Sequence, residues 1–194
     1  ANAIYSYTDA LMLSGETASG KYPLEAVKTM AAIAEQAEKD RNAMGEYEVP
    51  MNENCSQREF LAHAAIDATR KLGVAGIITD SLTGETVRHL AAFRGPNPIL
   101  AICYNEKTQR WLNLSFGVIA IHQKDKISPN YMFTAALRML RQKEYITLDD
   151  KIAYLSGRFG LGNPGGTTFL EINKVRQVFD KSYEFHLPNK ETDK

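Results

Sequence analysis

The sequence predicts an α/β fold: a three-layer α/β/α unit around a mostly parallel five-stranded sheet with an antiparallel last strand, preceded by a separate strand–helix pair. Three observations predict it. Beyond Ser56, short apolar runs alternate with longer stretches that carry apolar residues at helical spacing, which is the signature of βαβ units. Crossovers in such units place helices on both faces of the sheet. The last apolar run follows a glycine-rich loop instead of a helix, so it can return antiparallel at an edge.

The elements follow in order. Residues 9–14 (Asp-Ala-Leu-Met-Leu-Ser) read as a short buried strand. Such a strand needs neighbours on both sides, and nothing earlier in the chain supplies them, so the chain reads as the back part of a larger protein. Pro23 opens a helix where a missing N–H costs nothing. Leu24, Val27, Met30, Ala31 and Ala34 form its stripe, to about Glu38. Residues 1–40 thus form one unit. Residues 41–54, with Gly45, Pro50 and three asparagines, read as a linker.

Residues 55–179 form the main domain. Ser56 and Glu59 have the spacing of a capping box. Phe60, Leu61, Ala64, Ala65, Ala68 and Leu72 form the stripe that follows, and Gly73 closes the helix. Strands are expected at 74–79, 98–103, 118–121 and 152–156, with helices over 86–94, 105–114 and from Ser128-Pro129 onward. The last strand is expected over 168–178, and residues 180–194 read as a frayed polar tail. Trp111 and Phe116 are expected to pack, and His63 and His89 to lie at the surface or core edge.

Bulk properties exclude several functions. Basic and acidic residues balance at 23 each, which argues against nucleic acid or an anionic membrane as the dominant partner. No apolar run is long enough to span a bilayer, and no signal peptide is visible, so the cytoplasm is expected. Cys55 and Cys103 fit neither metal-ligand spacing nor a disulfide framework and read as free thiols. No metal-ligating cluster, Ser-His-Asp order or Walker lysine loop is evident.

Three loops could carry chemistry. Ser81-Leu-Thr-Gly-Glu-Thr86 joins a strand to a helix N-terminus, where hydroxyls, free N–H groups and the helix dipole favour an anion. The alternative is an N-cap cluster without a ligand. Residues 157–168 hold five glycines, whose N–H groups beside Thr167 could wrap phosphate oxygens, with Arg158 as a fork. The alternative is a flexible connection; a dinucleotide fingerprint does not fit, since no helix follows. Ser14-Gly-Glu-Thr17 places a Ser and a Glu after the first strand, either at an active site or as a capped turn.

Several motifs together point to a family. Thr8-Asp-Ala-Leu-Met-Leu-Ser-Gly-Glu-Thr-Ala-Ser-Gly-Lys-Tyr-Pro-Leu-Glu-Ala-Val27 resembles the segment that closes the catalytic barrel of pyruvate kinase. The resemblance continues through Thr83-Gly-Glu-Thr86, Arg94-Gly-Pro-Asn-Pro-Ile-Leu-Ala-Ile102, Asn105-Glu-Lys-Thr108, Gly117-Val-Ile119 and Pro164-Gly-Gly-Thr-Thr168, in one order over residues 1 to 178. It implies that residues 1–40 are the last strand and helix of a (β/α)8 barrel and that a C-terminal regulatory domain follows.

The resemblance also implies the parent reaction: phosphoryl transfer from phosphoenolpyruvate to ADP, giving pyruvate and ATP in glycolysis. Mg²⁺ and K⁺ serve the parent enzyme, and none is expected in this segment. Ser14 and Glu16 match positions bordering the active site. The catalytic lysine, metal carboxylates and substrate arginine belong to earlier barrel segments, so this polypeptide is expected to be inactive alone. An effector phosphate pocket is implied at Ser81, Thr83, Gly84, Thr86, Gly165, Gly166 and Thr167. A small phosphorylated effector, the parent's catalytic barrel and a homo-oligomer are the implied partners. Two departures matter. Leu82 and Glu85 stand where many relatives are basic, and a carboxylate there repels phosphate; a monophosphate effector, or none, stays open in place of fructose bisphosphate. Tyr5-Ser-Tyr7 stands where the family has a glycine-containing turn, and a tyrosine adopts a left-handed bend less easily. The rival readings are a free-standing phosphometabolite-binding domain and an oligomerisation module.

Overall fold

A computed structural model of the chain describes residues 1–44, 49–123, 129–157 and 166–184; at 42, 129–132 and 180–184 only the backbone element is described. The order is α1 (Asn2–Tyr5), α2 (Gly15–Ala18), α3 (Pro23–Ala43), α4 (Gln57–Lys71), β1 (Gly76–Ser81), α5 (Glu85–Ala92), β2 (Ile99–Cys103), α6 (Glu106–Leu112), β3 (Val118–His122), α7 (Pro129–Gln142), β4 (Lys151–Ser156), β5 (Phe169–Lys174) and α8 (Val175–Glu184).

The five strands form one sheet in the order β3-β2-β1-β4-β5. The first three interfaces are parallel, and β4 with β5 is antiparallel, as expected for a strand that follows a loop. Alternation along β1 and β2 divides the interior in two. Ile77, Ile99, Ala101 and Cys103 face one core with Ile66 of α4, Val87 and Leu90 of α5 and Leu112 of α6. Ile78, Leu100 and Ile102 face the other, with Leu137 and Leu140 of α7 and Val175 at the start of α8. Two cores, one on each face of a central sheet, make the three predicted layers.

Local signals explain most boundaries. Ser56 Oγ accepts the Glu59 N–H at 3.2 Å, and Gly73, at φ +64°, follows the last turn of α4. Asn105 Oδ1 accepts the Lys107 N–H at 2.7 Å and so caps α6. Cys55 and Cys103 are free thiols, and burial pushes the Cys103 thiol up to about 11.

Several expectations fail for identifiable reasons. Residues 9–14 form no strand: a strand is held by its ladder, and no strand of the sheet pairs with this segment among the described residues. α3 runs past Glu38 to Ala43, and Leu24, Val27 and Ile33 on it are exposed. In α4 the buried residues are Ala62, Ala65, Ile66, Ala68 and Thr69, so Ala65 and Ala68 of the expected stripe are buried, while Phe60 and the C-cap residue Leu72 are exposed; the small alanines let the helix approach the sheet. The last strand stops at Lys174, because Val175, Val178 and Phe179 have the i, i+3, i+4 spacing of a helix face and pack into the second core. Trp111 is exposed, with the Arg88 guanidinium 4.9 Å from its ring centroid. Ser128, the expected start of α7, lies outside the described residues.

Candidate functional site

The chain runs β1, β2, β3 outward on one side of β1, then returns to place β4 on its other side. The strand order therefore reverses between β1 and β4. In open α/β sheets the crevice beyond the carboxyl ends at such a reversal is where ligands collect. Ser81 ends β1, and Ser156-Gly157 ends β4.

The two predicted halves of the phosphate pocket meet there. Ser81 Oγ accepts the Gly84 N–H at 2.8 Å, which closes the loop after β1. Gly84 sits at the N-cap of α5 with φ 85°, and no side chain caps this helix. A Cβ on Gly84 would lie 2.9 Å from Leu112 Cδ2, so the position needs glycine for both conformation and space. The Thr86 and Thr167 hydroxyls lie 2.7 Å apart and are buried, so the segment after β1 and the segment before β5 touch directly. The Thr168 N–H donates to the Ser156 carbonyl at 2.9 Å. A Cβ on Gly157 would stand 1.8 Å from the Gly166 carbonyl oxygen, so Gly157 and Gly166 lie against each other. Thr83 is exposed at the mouth and Gly166 is half-buried. Gly165 and Arg158 lie outside the described residues.

Three features of this crevice had no sequence signal. Arg58, on the first turn of α4, forms an ion pair with Glu85. The Glu85 carboxylate is therefore paired with a cation from a neighbouring helix. Asp80 turns to the opposite face from Ser81, where Ser156 Oγ donates to its carboxylate. Burial holds the Asp80 carboxyl above the usual carboxylate range, and hydrogen bonds from Ser156 and Tyr154 pull it partly back. Tyr154 stacks on Phe133 at 3.9 Å between centroids; burial, then the nearby Asp80 charge, pushes its hydroxyl up.

Ser14 and Glu16 are not part of this crevice. They flank the start of α2, where the Ser14 N–H donates to Glu16 Oε2 at 3.2 Å. Backbone N–H groups of Glu16 and Ser14 lower the Glu16 carboxyl below its ordinary value. Both residues are exposed. Among the described residues no group of three or more His, Cys, Asp or Glu side chains is placed to hold a metal ion, and no helix is long and apolar enough to cross a membrane.

Comparison with known proteins agrees with this architecture. The family model described as "Pyruvate kinase, alpha/beta domain" matches residues 59–173, from the first turns of α4 to the end of β5. A pyruvate kinase of Borreliella burgdorferi is 38% identical over 180 residues, covering 92% of this chain and 38% of that protein. One from Bacillus licheniformis is 34% identical over 186 residues, covering 93% of this chain and 31% of that protein. One from Clostridium acetobutylicum is 34% identical over 162 residues, covering 81% and 33%. The chain thus spans about a third of the length of these relatives. With the α/β model spanning the sheet, and the match to the Borreliella relative reaching beyond it, the chain belongs to the pyruvate kinase family and contains its α/β domain.

Proposed function

We propose that this chain is the regulatory part of a pyruvate kinase and that its switch-point crevice binds the phosphate of a small effector. The observation that carries this reading is the Thr86–Thr167 hydrogen bond. It joins the uncapped first turn of α5 to the end of the glycine-rich connection at the one place in the sheet where the strand order reverses. N–H groups at a helix start and clustered hydroxyls are the donors a phosphate takes. Ser81, Thr83, Gly84, Thr86, Gly166 and Thr167 are the proposed contacts, with Gly165 completing the set. Arg58 offsets Glu85, which favours one phosphate group over two: the cation is already engaged.

The parent reaction is transfer of a phosphoryl group from phosphoenolpyruvate to ADP. Catalysis of that class depends on positioning and on neutralising charge on the transferred group. Ser14 and Glu16 would border that site. Their two oxygen-bearing side chains do not make a Mg²⁺ or K⁺ site by themselves, so no step through a metal is assigned to them, and the chain alone is proposed to be inactive. The exposed Leu24, Val27 and Ile33 of α3 support docking of this helix against the parent's barrel. They also favour a partner-dependent unit over a free-standing binding domain. Assembly into a homo-oligomer and a cytoplasmic setting complete the reading.

Isothermal titration of the 194-residue chain with AMP, ribose 5-phosphate and fructose 1,6-bisphosphate tests it. Saturable binding of a monophosphate, abolished by Thr86→Val, supports the crevice. Absence of binding by all three ligands refutes it. ADP-dependent pyruvate formation by the purified chain would refute the proposed inactivity.

A further inference from the structure

Three non-glycine residues among those described have left-handed backbone: Tyr7 at φ 59°, Arg94 at φ 52° and Glu144 at φ 59°. Two of them touch. Arg94 Nη2 donates to the Tyr7 carbonyl oxygen. Backbone held in such conformations persists only where its surroundings fix it.

The surroundings here are specific. Arg94 Nη1 also donates to Asp9 Oδ1 at 2.8 Å, and that same carboxylate oxygen accepts the Phe116 N–H at 3.0 Å. The Arg94 guanidinium lies 4.8 Å from the Phe116 ring centroid, and the Arg41 guanidinium sits 4.9 Å from the Tyr7 ring centroid and 5.5 Å from that of Phe116. Arg41 Nη1 donates to the Ile4 carbonyl at 3.3 Å. The Arg94 side chain is almost wholly enclosed, while Asp9 is half-exposed. One planar fork thus holds a carboxylate, a carbonyl and an aromatic face at once, a task suited to guanidinium and not to ammonium.

We propose that Arg94 is the positioning residue that seats the Tyr7–Ser14 segment on the α/β unit. The segment makes no ladder of its own, so these contacts decide where it lies on the α/β unit. Its consequence for Ser14 and Glu16 rests on the reading that they border the parent's active site; the seating itself does not. Arg94 is also tied to α5, its N–H donating to the Ala91 carbonyl at 3.2 Å. α5 thus connects the Gly84 turn at one end to the fork at the other, so a shift of α5 would carry the segment with it.

Hydrogen exchange and ¹⁵N spectra of the 194-residue chain test this without ligand. In Arg94→Gln, the Phe116 amide and the amides of residues 8–18 should exchange at least about tenfold faster, while Ile78 and Leu100 in the sheet stay unchanged. Arg94→Lys should restore part of the Phe116 protection and leave residues 8–18 loose. A merely structural role would speed Leu100 and Phe116 together. Unchanged exchange at Phe116 and over 8–18, or acceleration that includes Leu100, overturns the proposal. If Arg94→Gln does not fold, Asp9→Ala decides: selective loosening of 8–18 supports the seating, and unchanged exchange there overturns it. Because no ligand enters, failure of phosphate binding and failure of this seating are read separately.

Discussion

The hydroxyls of Thr86 and Thr167 lie 2.7 Å apart although 81 residues separate them in the chain. Both are buried, and each satisfies the other in the absence of a ligand. Removing one hydroxyl leaves its partner unpaired, at a cost of about 1–3 kcal/mol. Thr86→Val and Thr167→Val should each destabilise by that amount in urea titrations, and the double variant by less than their sum.

Gly84 joins the same turn from the backbone side. Its φ of 85° and the 2.9 Å approach of Leu112 to a built Cβ make Gly84→Ala both strained and crowded. A loss of about 1–3 kcal/mol is expected, with weaker phosphate affinity, measured by urea unfolding and calorimetric titration. Leu112→Ala made alongside should restore the space but not the backbone preference.

Asp80 predicts a pH dependence. Burial raises its folded-state carboxyl above the unfolded value. The folded protein therefore holds this proton more tightly than the unfolded chain. The stability this contributes is full below the unfolded-state value of about 3.9 and is lost as pH rises through the raised folded value. Glu16 and Asp67 are shifted the other way, so the measurement is a difference. Relative to Asp80→Asn, the native chain should lose melting temperature as pH rises above the ordinary carboxylate value. A constant difference from pH 4 to 8 would contradict the assignment.

The two kinds of apolar residue should respond differently. Leu137 is fully buried in the second core, and Leu137→Ala should cost about 2–5 kcal/mol. Ile33 is exposed on α3, and Ile33→Ala should stay within about 0.5 kcal/mol by thermal unfolding of this chain. Disruption of docking by the same Ile33 change in a longer, barrel-containing protein would identify α3 as the buried seam there.

Much of this was legible in the residues. The βαβ alternation, the Ser56 cap, Gly73 and the glycine-rich loop before an antiparallel strand are local signals, and local physics decided them. The resemblance through Thr83-Gly-Glu-Thr86 and Thr167 singled out two distant segments, and the fold brings Thr86 and Thr167 together. What failed depended on distant partners. Residues 10–14 have strand-like composition but no ladder to join. Phe60 lies one step off the α4 face that the sheet selects. The Val175–Phe179 face reads equally well as a strand until the second core is seen to need covering. Arg58 and Asp80 carry no motif, since only the packing of α4 on α5 and of β1 on β4 gives them roles. Tyr7 is the reverse case: a tyrosine enters a left-handed bend less easily than the glycine it replaces in the resemblance, yet it adopts one at φ 59°.

The most direct measurement is calorimetric titration of the intact chain with AMP, beside Thr86→Val, Thr167→Val and Arg58→Gln. The crevice reading predicts one saturable site, lost in both threonine variants and weakened roughly 5-fold when Arg58 no longer offsets Glu85, a change of about 1 kcal/mol. AMP binding that is unchanged in Thr86→Val and Thr167→Val would contradict it.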